Sequence, residues 1–101
     1  MNLVDYAGNS IRLTDERLTH IKEHPEMSNN TEKIKETLES PDIVVRSRSD
    51  EEARLYYRFY EGLSIGNKHL CIVVKFTEID VYVVTAYFTD SIKKGDVIWK
   101  K

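Results

Sequence analysis

The segments that decide the fold are His69-Leu-Cys-Ile-Val-Val-Lys-Phe76 and Val81-Tyr-Val-Val-Thr-Ala-Tyr-Phe88, separated by the short loop Thr77-Glu-Ile-Asp80. Both are rich in β-branched and aromatic residues, which are typical of strands. Two similar segments precede them, at Ile43–Arg48 and Ala53–Tyr60, on either side of a short acidic loop. Because consecutive strands with short connections usually pair with each other, the four segments predict an antiparallel meander.

Two helices are predicted before these strands. Thr14 is the expected N-cap of the first helix, which runs from about residue 15 to residue 24 and cannot continue easily through Pro25. Asn30 or Thr31 is the expected cap of the second helix, which ends before the next proline. Both helices have a narrow apolar stripe and otherwise charged surfaces, so each is expected to bury one side only.

The remaining segments complete the predicted fold. Residues 3–7 and 11–13 alternate around a Gly-Asn-Ser turn and predict a small N-terminal hairpin, and residues 92–99 are a candidate last strand. The sequence therefore predicts one α+β domain over residues 1–101. In it, two N-terminal helices pack on one face of an antiparallel sheet of about four to five strands.

Composition limits the possible functions. The chain has 101 residues, 41% of them hydrophobic and 32% charged, with a formal net charge of -2. A slightly acidic protein has weak non-specific affinity for nucleic acids unless its cations form a local patch. No apolar run is long enough to cross a membrane and no signal peptide is visible, so the cytoplasm is the expected compartment. The single cysteine, Cys71, lies in an apolar run and is expected to be a buried side chain.

Strand alternation sorts the side chains into two faces, provided that no bulge shifts the register. The set expected beneath the helices is apolar: Leu55, Tyr57, Phe59, Leu70, Ile72, Val74, Phe76, Tyr82, Val84, Ala86 and Phe88. The other set collects cations and hydroxyls: Arg46, Arg48, Arg54, Tyr56, Arg58, Lys75, Thr85 and Tyr87. This second face is a candidate phosphate-binding surface, although an ordinary solvent-exposed face has the same composition.

His20 and His24 are one helical turn apart and share a helix face. Histidine is the usual general acid or base near neutral pH. The same spacing could hold a metal, but no cysteine or carboxylate stands at ligand spacing and His69 would be a remote third ligand. We therefore expect no metal and no cofactor. The histidines are candidates for proton transfer, with a structural role near Pro25 as the alternative.

The order of motifs resembles the barnase–EndoU–colicin–RelE-like nucleases, particularly their branch associated with phages and mobile elements. The motifs are His-x-x-x-His-Pro-Glu at residues 20–26, Glu-Ser-Pro-Asp at 39–42, Val-Val-Lys at 73–75, Val-Val-Thr-Ala-Tyr at 83–87 and Lys-Lys-Gly-x-Val-Ile-Trp at 93–99. The resemblance covers roughly residues 10–101. It implies metal-independent cleavage of RNA, in which the 2′-hydroxyl attacks the adjacent phosphate and leaves a 2′,3′-cyclic phosphate.

The resemblance also suggests individual roles. His20 or His24 would transfer the proton, Arg58 would stabilise charge on the phosphorane, and Thr85 would bind a non-bridging oxygen. Arg46 and Lys75 are alternatives to Arg58 in that role. The candidates for substrate binding are cations that could contact phosphates and tyrosines that could stack on a base: Arg46, Arg48, Lys75, Tyr56 and Tyr87. The expected partners are RNA, with tRNA and ribosome-bound RNA as the two candidates, and an antitoxin or immunity protein if the chain is a toxin or a phage effector.

A non-catalytic RNA- or protein-binding module on the same scaffold is the main alternative. The near-neutral charge and the charged second helix favour it. It predicts binding without turnover, whereas the nuclease predicts cleavage that persists in EDTA. The third hypothesis is a purely structural accessory domain. No residue of the sequence specifically supports it.

Overall fold

The computed structural model describes all residues 1–101 and contains one seven-stranded sheet with three short helices. In chain order the elements are β1 (Asn2–Val4), β2 (Ser10–Arg12), α1 (Asp15–Lys22), α2 (Pro25–Ser28), α3 (Glu32–Glu39), β3 (Ile43–Arg46), β4 (Ala53–Leu63), β5 (Gly66–Phe76), β6 (Val81–Thr89) and β7 (Asp96–Lys100). The order of the strands across the sheet is β1-β2-β6-β5-β4-β3-β7. None of the three helices is long and apolar enough to cross a membrane.

The predicted fold class is wrong in its proportions. Strands make up 46% of the chain and curl into a half-barrel, whereas the prediction was two helices on a sheet of four to five strands. The extra strands come from the two ends of the chain. The N-terminal hairpin joins the sheet through a parallel contact between Arg12 in β2 and Tyr82 in β6, and β7 pairs with β3. Both pairings join distant parts of the sequence, so no local sequence pattern predicts them.

The predicted antiparallel meander is confirmed for β3 to β6. Each of these strands pairs antiparallel with the next along the chain. The helix boundaries follow the predicted stops. The Thr14 hydroxyl caps α1 by accepting from the Arg17 N–H at 3.1 Å. Pro25 ends that helix early and opens the short α2 instead, because proline suits a first helical turn better than an interior one.

The face of the sheet beneath the helices, here called the helix-covered face, holds the main core. Its buried side chains come from the helices, the loop before α1, the N-terminal hairpin and the strands: Leu3, Ile11, Leu13, Ile21, Met27, Ile34, Leu38, Val44, Tyr56, Leu70, Ile72, Val74, Val83 and Ala86. The opposite face, here called the second face, has a smaller buried cluster of Val45, Leu55, Tyr57 and Cys71. Cys71 is buried, as predicted.

The prediction of side-chain faces is correct for most of β5 and wrong for β4. Tyr56 pairs with Ile72 and Arg58 pairs with Leu70, so both side chains lie on the helix-covered face, and alternation places Arg54 there too. The apolar pattern of β4 is equally strong on both faces, so alternation alone could not choose between them. In β6, a register shift beside Val73 and Val74 moves Val83 to the helix-covered face.

Candidate functional site

The two histidines of the nuclease hypothesis lie at the surface of the helical layer. His20 and His24 are both exposed, at the end of α1 and just before α2. The His20 Nδ1 lies 3.6 Å from the Glu23 carboxylate, and both side chains are mostly exposed. No hydrogen bond or ion pair joins either histidine to Arg58 or to Thr85. Across the whole chain, no cluster of three or more His, Cys, Asp or Glu side chains could hold a metal ion.

Arg58 is engaged in holding α3 against the sheet. One guanidinium nitrogen, Nη1, donates to the Ser40 carbonyl oxygen at 2.6 Å, and Nε lies 3.6 Å from the Glu36 carboxylate. Tyr60, two residues further along the same face, donates its hydroxyl to the same carboxylate at 2.6 Å. Arg58 therefore stabilises the end of a helix through Nη1 and the Glu36 ion pair, whereas its buried Nε has no hydrogen-bond partner.

Thr85 lies on the other side of the sheet from Arg58. It pairs directly with Val73, and Val73 packs against the buried cluster of the second face. Directly paired residues of antiparallel strands share a face. The structure therefore separates the predicted set: His20, His24, Arg58 and Tyr56 belong to the helix side, whereas Lys75, Thr85 and Tyr87 belong to the second face.

A cleft of about 330 Å³ opens on the second face and is the best candidate site. We call it the basic cleft. Its floor is formed by Ala53, Leu55 and Val73, and its polar lining consists of Ser47, Arg48, Ser49, Asp50, Tyr87, Lys93 and Lys94. Two of the predicted binding residues, Arg48 and Tyr87, line it. The prediction that Arg46 belongs to the second face is wrong, because Arg46 pairs with Arg54 and shares its face; Arg46 borders a separate open depression together with Arg48.

The segment between β6 and β7 forms one wall of the basic cleft. We call residues 90–95 the strap. The Lys93 backbone N–H donates to the Tyr57 hydroxyl at 3.1 Å, which fixes the strap across the second face. At its end, a Cβ built on Gly95 would overlap the backbone carbonyl oxygen of Arg46, so only glycine allows this approach. The two lysines are thereby brought to the cleft from a segment far from Arg48 in sequence.

The cations of the basic cleft have no internal counterions. None of the ion pairs of the molecule involves Arg48, Lys93 or Lys94. The one carboxylate in the lining, Asp50, is itself occupied, because Lys75 Nζ lies 3.2 Å away. A hydrogen bond from the Glu52 backbone N–H and the Lys75 ammonium hold the pKa of Asp50 below its usual value. The cleft therefore presents net positive charge in a slightly acidic protein.

The hydroxyls and the thiol behind the cleft stay protonated at neutral pH. Burial raises the pKa of Tyr57 to about 12 and also raises the pKa of Tyr87 and of the Cys71 thiol. A thiolate nucleophile needs the opposite shift, so Cys71 is a packing residue. The Tyr87 hydroxyl, which lies beside the Cys71 thiol, keeps its proton.

Sequence reasoning missed the most important cations of this cleft. Lys93 and Lys94 belong to the predicted last strand and to the Lys-Lys-Gly motif of the resemblance, but neither lysine is among the predicted binding residues. His69 also lies on the second face, since it pairs with Phe59 and Thr89 one row beyond Tyr57. Comparison of the chain with protein-family models, with curated proteins and with solved structures found no match.

Proposed function

We propose that this protein binds RNA through the basic cleft. The observation that carries the proposal is that three cations without counterions, Arg48, Lys93 and Lys94, line one cleft together with Tyr87. Arginine and lysine side chains supply most of the affinity of proteins for phosphate groups. Their concentration on one face explains how a chain with a net charge of -2 can bind a polyanion.

RNA fits the cleft better than an isolated small anion does. The cleft is open rather than enclosed, and its three cations are exposed, which suits an RNA backbone that passes over it. The cleft also includes a tyrosine, and aromatic rings are a common means of binding unpaired bases. The compartment proposed together with this function is the cytoplasm.

Metal-independent cleavage of RNA is the second candidate function. Cations and hydroxyl donors of this kind stabilise charge that develops on a phosphorane, and Thr85 and Lys75 lie on the same face beside the cleft. Cleavage would proceed by 2′-hydroxyl attack to a 2′,3′-cyclic phosphate. His20 and His24 lie on the helix side of the sheet. A different group, on the second face, would therefore have to transfer the proton. A toxin with this activity would need an antitoxin that covers the basic cleft.

The proposal is tested by comparing two double variants. Lys93→Ala/Lys94→Ala removes two cleft cations, and Lys22→Ala/Lys35→Ala removes two exposed, unpaired cations from the helices. Fluorescence anisotropy with a labelled single-stranded RNA would measure both affinities. We expect the cleft variant to weaken binding about tenfold or more and the helix variant to bind like the wild type.

Salt dependence gives a second, independent readout. Three phosphate contacts predict a slope of log K against log salt of roughly −2 for a single strand, falling to roughly −0.7 in the cleft variant. Equal weakening by the two variants, or an unchanged slope, would contradict the proposed site. Incubation of the same proteins with RNA in EDTA separates the two functions. Cyclic-phosphate products from the wild type and from His20→Ala/His24→Ala, but not from the cleft variant, would establish cleavage at this site.

A further inference from the structure

We infer that the RNA bound at the basic cleft is single-stranded and that one of its unpaired bases stacks on a second site, formed by Phe59 and His69. We call this pair the aromatic platform. The inference rests on the proposed RNA binding and specifies the form of the ligand. It predicts an extended contact along the second face, with phosphates at one end and a base at the other.

The aromatic platform is an unusual feature of this surface. Phe59 leaves 41% of its surface exposed and is the only aromatic residue among the large apolar side chains that are exposed. The others stand mostly in turns or near chain ends, whereas Phe59 lies inside β4. A phenylalanine at a solvent-facing strand position contributes little to the core. Its exposed ring is therefore available to a ligand.

Contacts between aromatic rings hold the aromatic platform in place. The Phe59 and His69 rings are 4.9 Å apart at 58°, and the His69 ring meets Tyr57 edge-on at 6.5 Å. The His69 Nδ1 is buried and has no hydrogen-bond partner, so aromatic contacts rather than hydrogen bonds orient the imidazole. A preorganised ring pair of this kind loses little conformational entropy when a base stacks on it.

Strand geometry sets the distance between the two sites. The cleft floor includes the paired residues Leu55 and Val73, and Phe59 and His69 lie four residues further along the same strands, on the same face. At about 3.3 Å per residue, this separation is roughly 13 Å, with the strap in between. A short extended strand can span this distance with its bases splayed outward. In a duplex the bases are paired inside and cannot reach an aromatic face.

Two carboxylates near the platform are engaged within the protein. The Asp42 Oδ2 accepts the Phe59 backbone N–H at 2.7 Å. Asp90 of the strap is paired with the Lys68 ammonium. Both carboxylates are thus engaged within the protein, which reduces their repulsion of a passing phosphate.

Phe59→Leu is the discriminating substitution, because it keeps apolar bulk and removes the aromatic face. Ile65→Ala is its matched control, since Ile65 has the same exposed fraction of 41% but lies in the β4–β5 turn. The ligands would be a labelled single-stranded RNA of about 12 nucleotides without self-complementarity, the duplex of the same sequence, and inorganic polyphosphate as an anion without bases. Anisotropy and competition would give all affinities.

We expect Phe59→Leu to weaken binding of the single strand roughly 5- to 100-fold and to leave polyphosphate binding within twofold of the wild type. Ile65→Ala should change neither affinity, and the wild type should prefer the single strand to the duplex. Wild-type affinity of Phe59→Leu for the single strand, or equal loss for RNA and polyphosphate, would overturn the stacking inference while RNA binding stands. A wild type that binds neither RNA nor polyphosphate would overturn the proposed function itself.

Discussion

Asp5 shows how a single buried carboxylate organises one end of the molecule. Its Oδ1 accepts the backbone N–H groups of Ala7 and Asn9 at 3.0 and 2.8 Å, and its Oδ2 accepts the Asn9 amide and the Tyr56 hydroxyl. Buried carboxylates are stable only when several donors surround them. These bonds shape the β1–β2 turn and tie it to the centre of the sheet.

Tyr56→Phe tests this network at the residue level. The variant removes the donor that lies 2.6 Å from Asp5 and leaves a buried carboxylate oxygen with one fewer partner. We expect the free energy of unfolding to fall by about 1.5–3 kcal/mol, the usual range for a hydrogen bond to a charged group. Urea denaturation would measure it. Tyr82→Phe, which removes a hydroxyl without a hydrogen-bond partner, should unfold at the wild-type midpoint, and equal midpoints for all three proteins would refute the role of Asp5.

The strap is the element that turns an ordinary sheet face into a cleft. It returns the chain from β6 to β7 on the far edge of the sheet, passing over the buried cluster of Tyr57 and Cys71. Its path depends on the close approach of Gly95 to β3 and on the hydrogen bond from Lys93 to Tyr57. The positions of the two cleft lysines therefore depend on backbone geometry rather than on their own side chains.

Gly95→Ala should displace the strap, because the added Cβ would collide with the Arg46 backbone carbonyl oxygen, which cannot move without breaking the β3 pairing. We expect a loss of about 1–3 kcal/mol in the free energy of unfolding, as for other overpacked positions, together with weaker RNA binding. Thermal unfolding would measure the stability, and fluorescence anisotropy with the labelled RNA would measure the affinity. Ser91→Ala in the same strap is the control, and a Gly95→Ala protein with native stability and affinity would argue against this account.

At the scale of the whole molecule, few bonds join the N-terminal hairpin to the meander. The parallel contact between β2 and β6 is short, and beside it the Arg12 guanidinium forms an ion pair with Asp80 in the β5–β6 turn. Hydrogen bonding to Arg12 holds the pKa of the Asp80 carboxyl below its usual value. Both side chains are partly exposed, so solvent and salt screen the attraction between them.

The lowered pKa of Asp80 predicts a specific acid response. Its stabilising contribution is present above the unfolded-state pKa of about 3.9 and is lost as the pH falls through the lower folded-state value. Wild-type stability should therefore decline below about pH 4 more steeply than that of Asp80→Asn, and the two proteins should converge at the lowest pH. Urea midpoints between pH 2 and pH 7 would show this. Glu78→Gln, in the same turn and without an ion pair, should follow the wild-type curve.

Local sequence determined the meander, the capped start of α1, the break at Pro25 and the burial of Cys71, because periodicity and capping act over a few residues. It also placed Lys75, Thr85 and Tyr87 on one face. Tertiary structure decided the face of β4, since its aromatic pattern is strong on both sides and the buried partner of Tyr56 lies 51 positions away. Long-range pairing likewise added the hairpin and β7 to the sheet and brought Lys93 and Lys94 to Arg48. Because these contacts join residues that are far apart in the sequence, no local pattern predicts them.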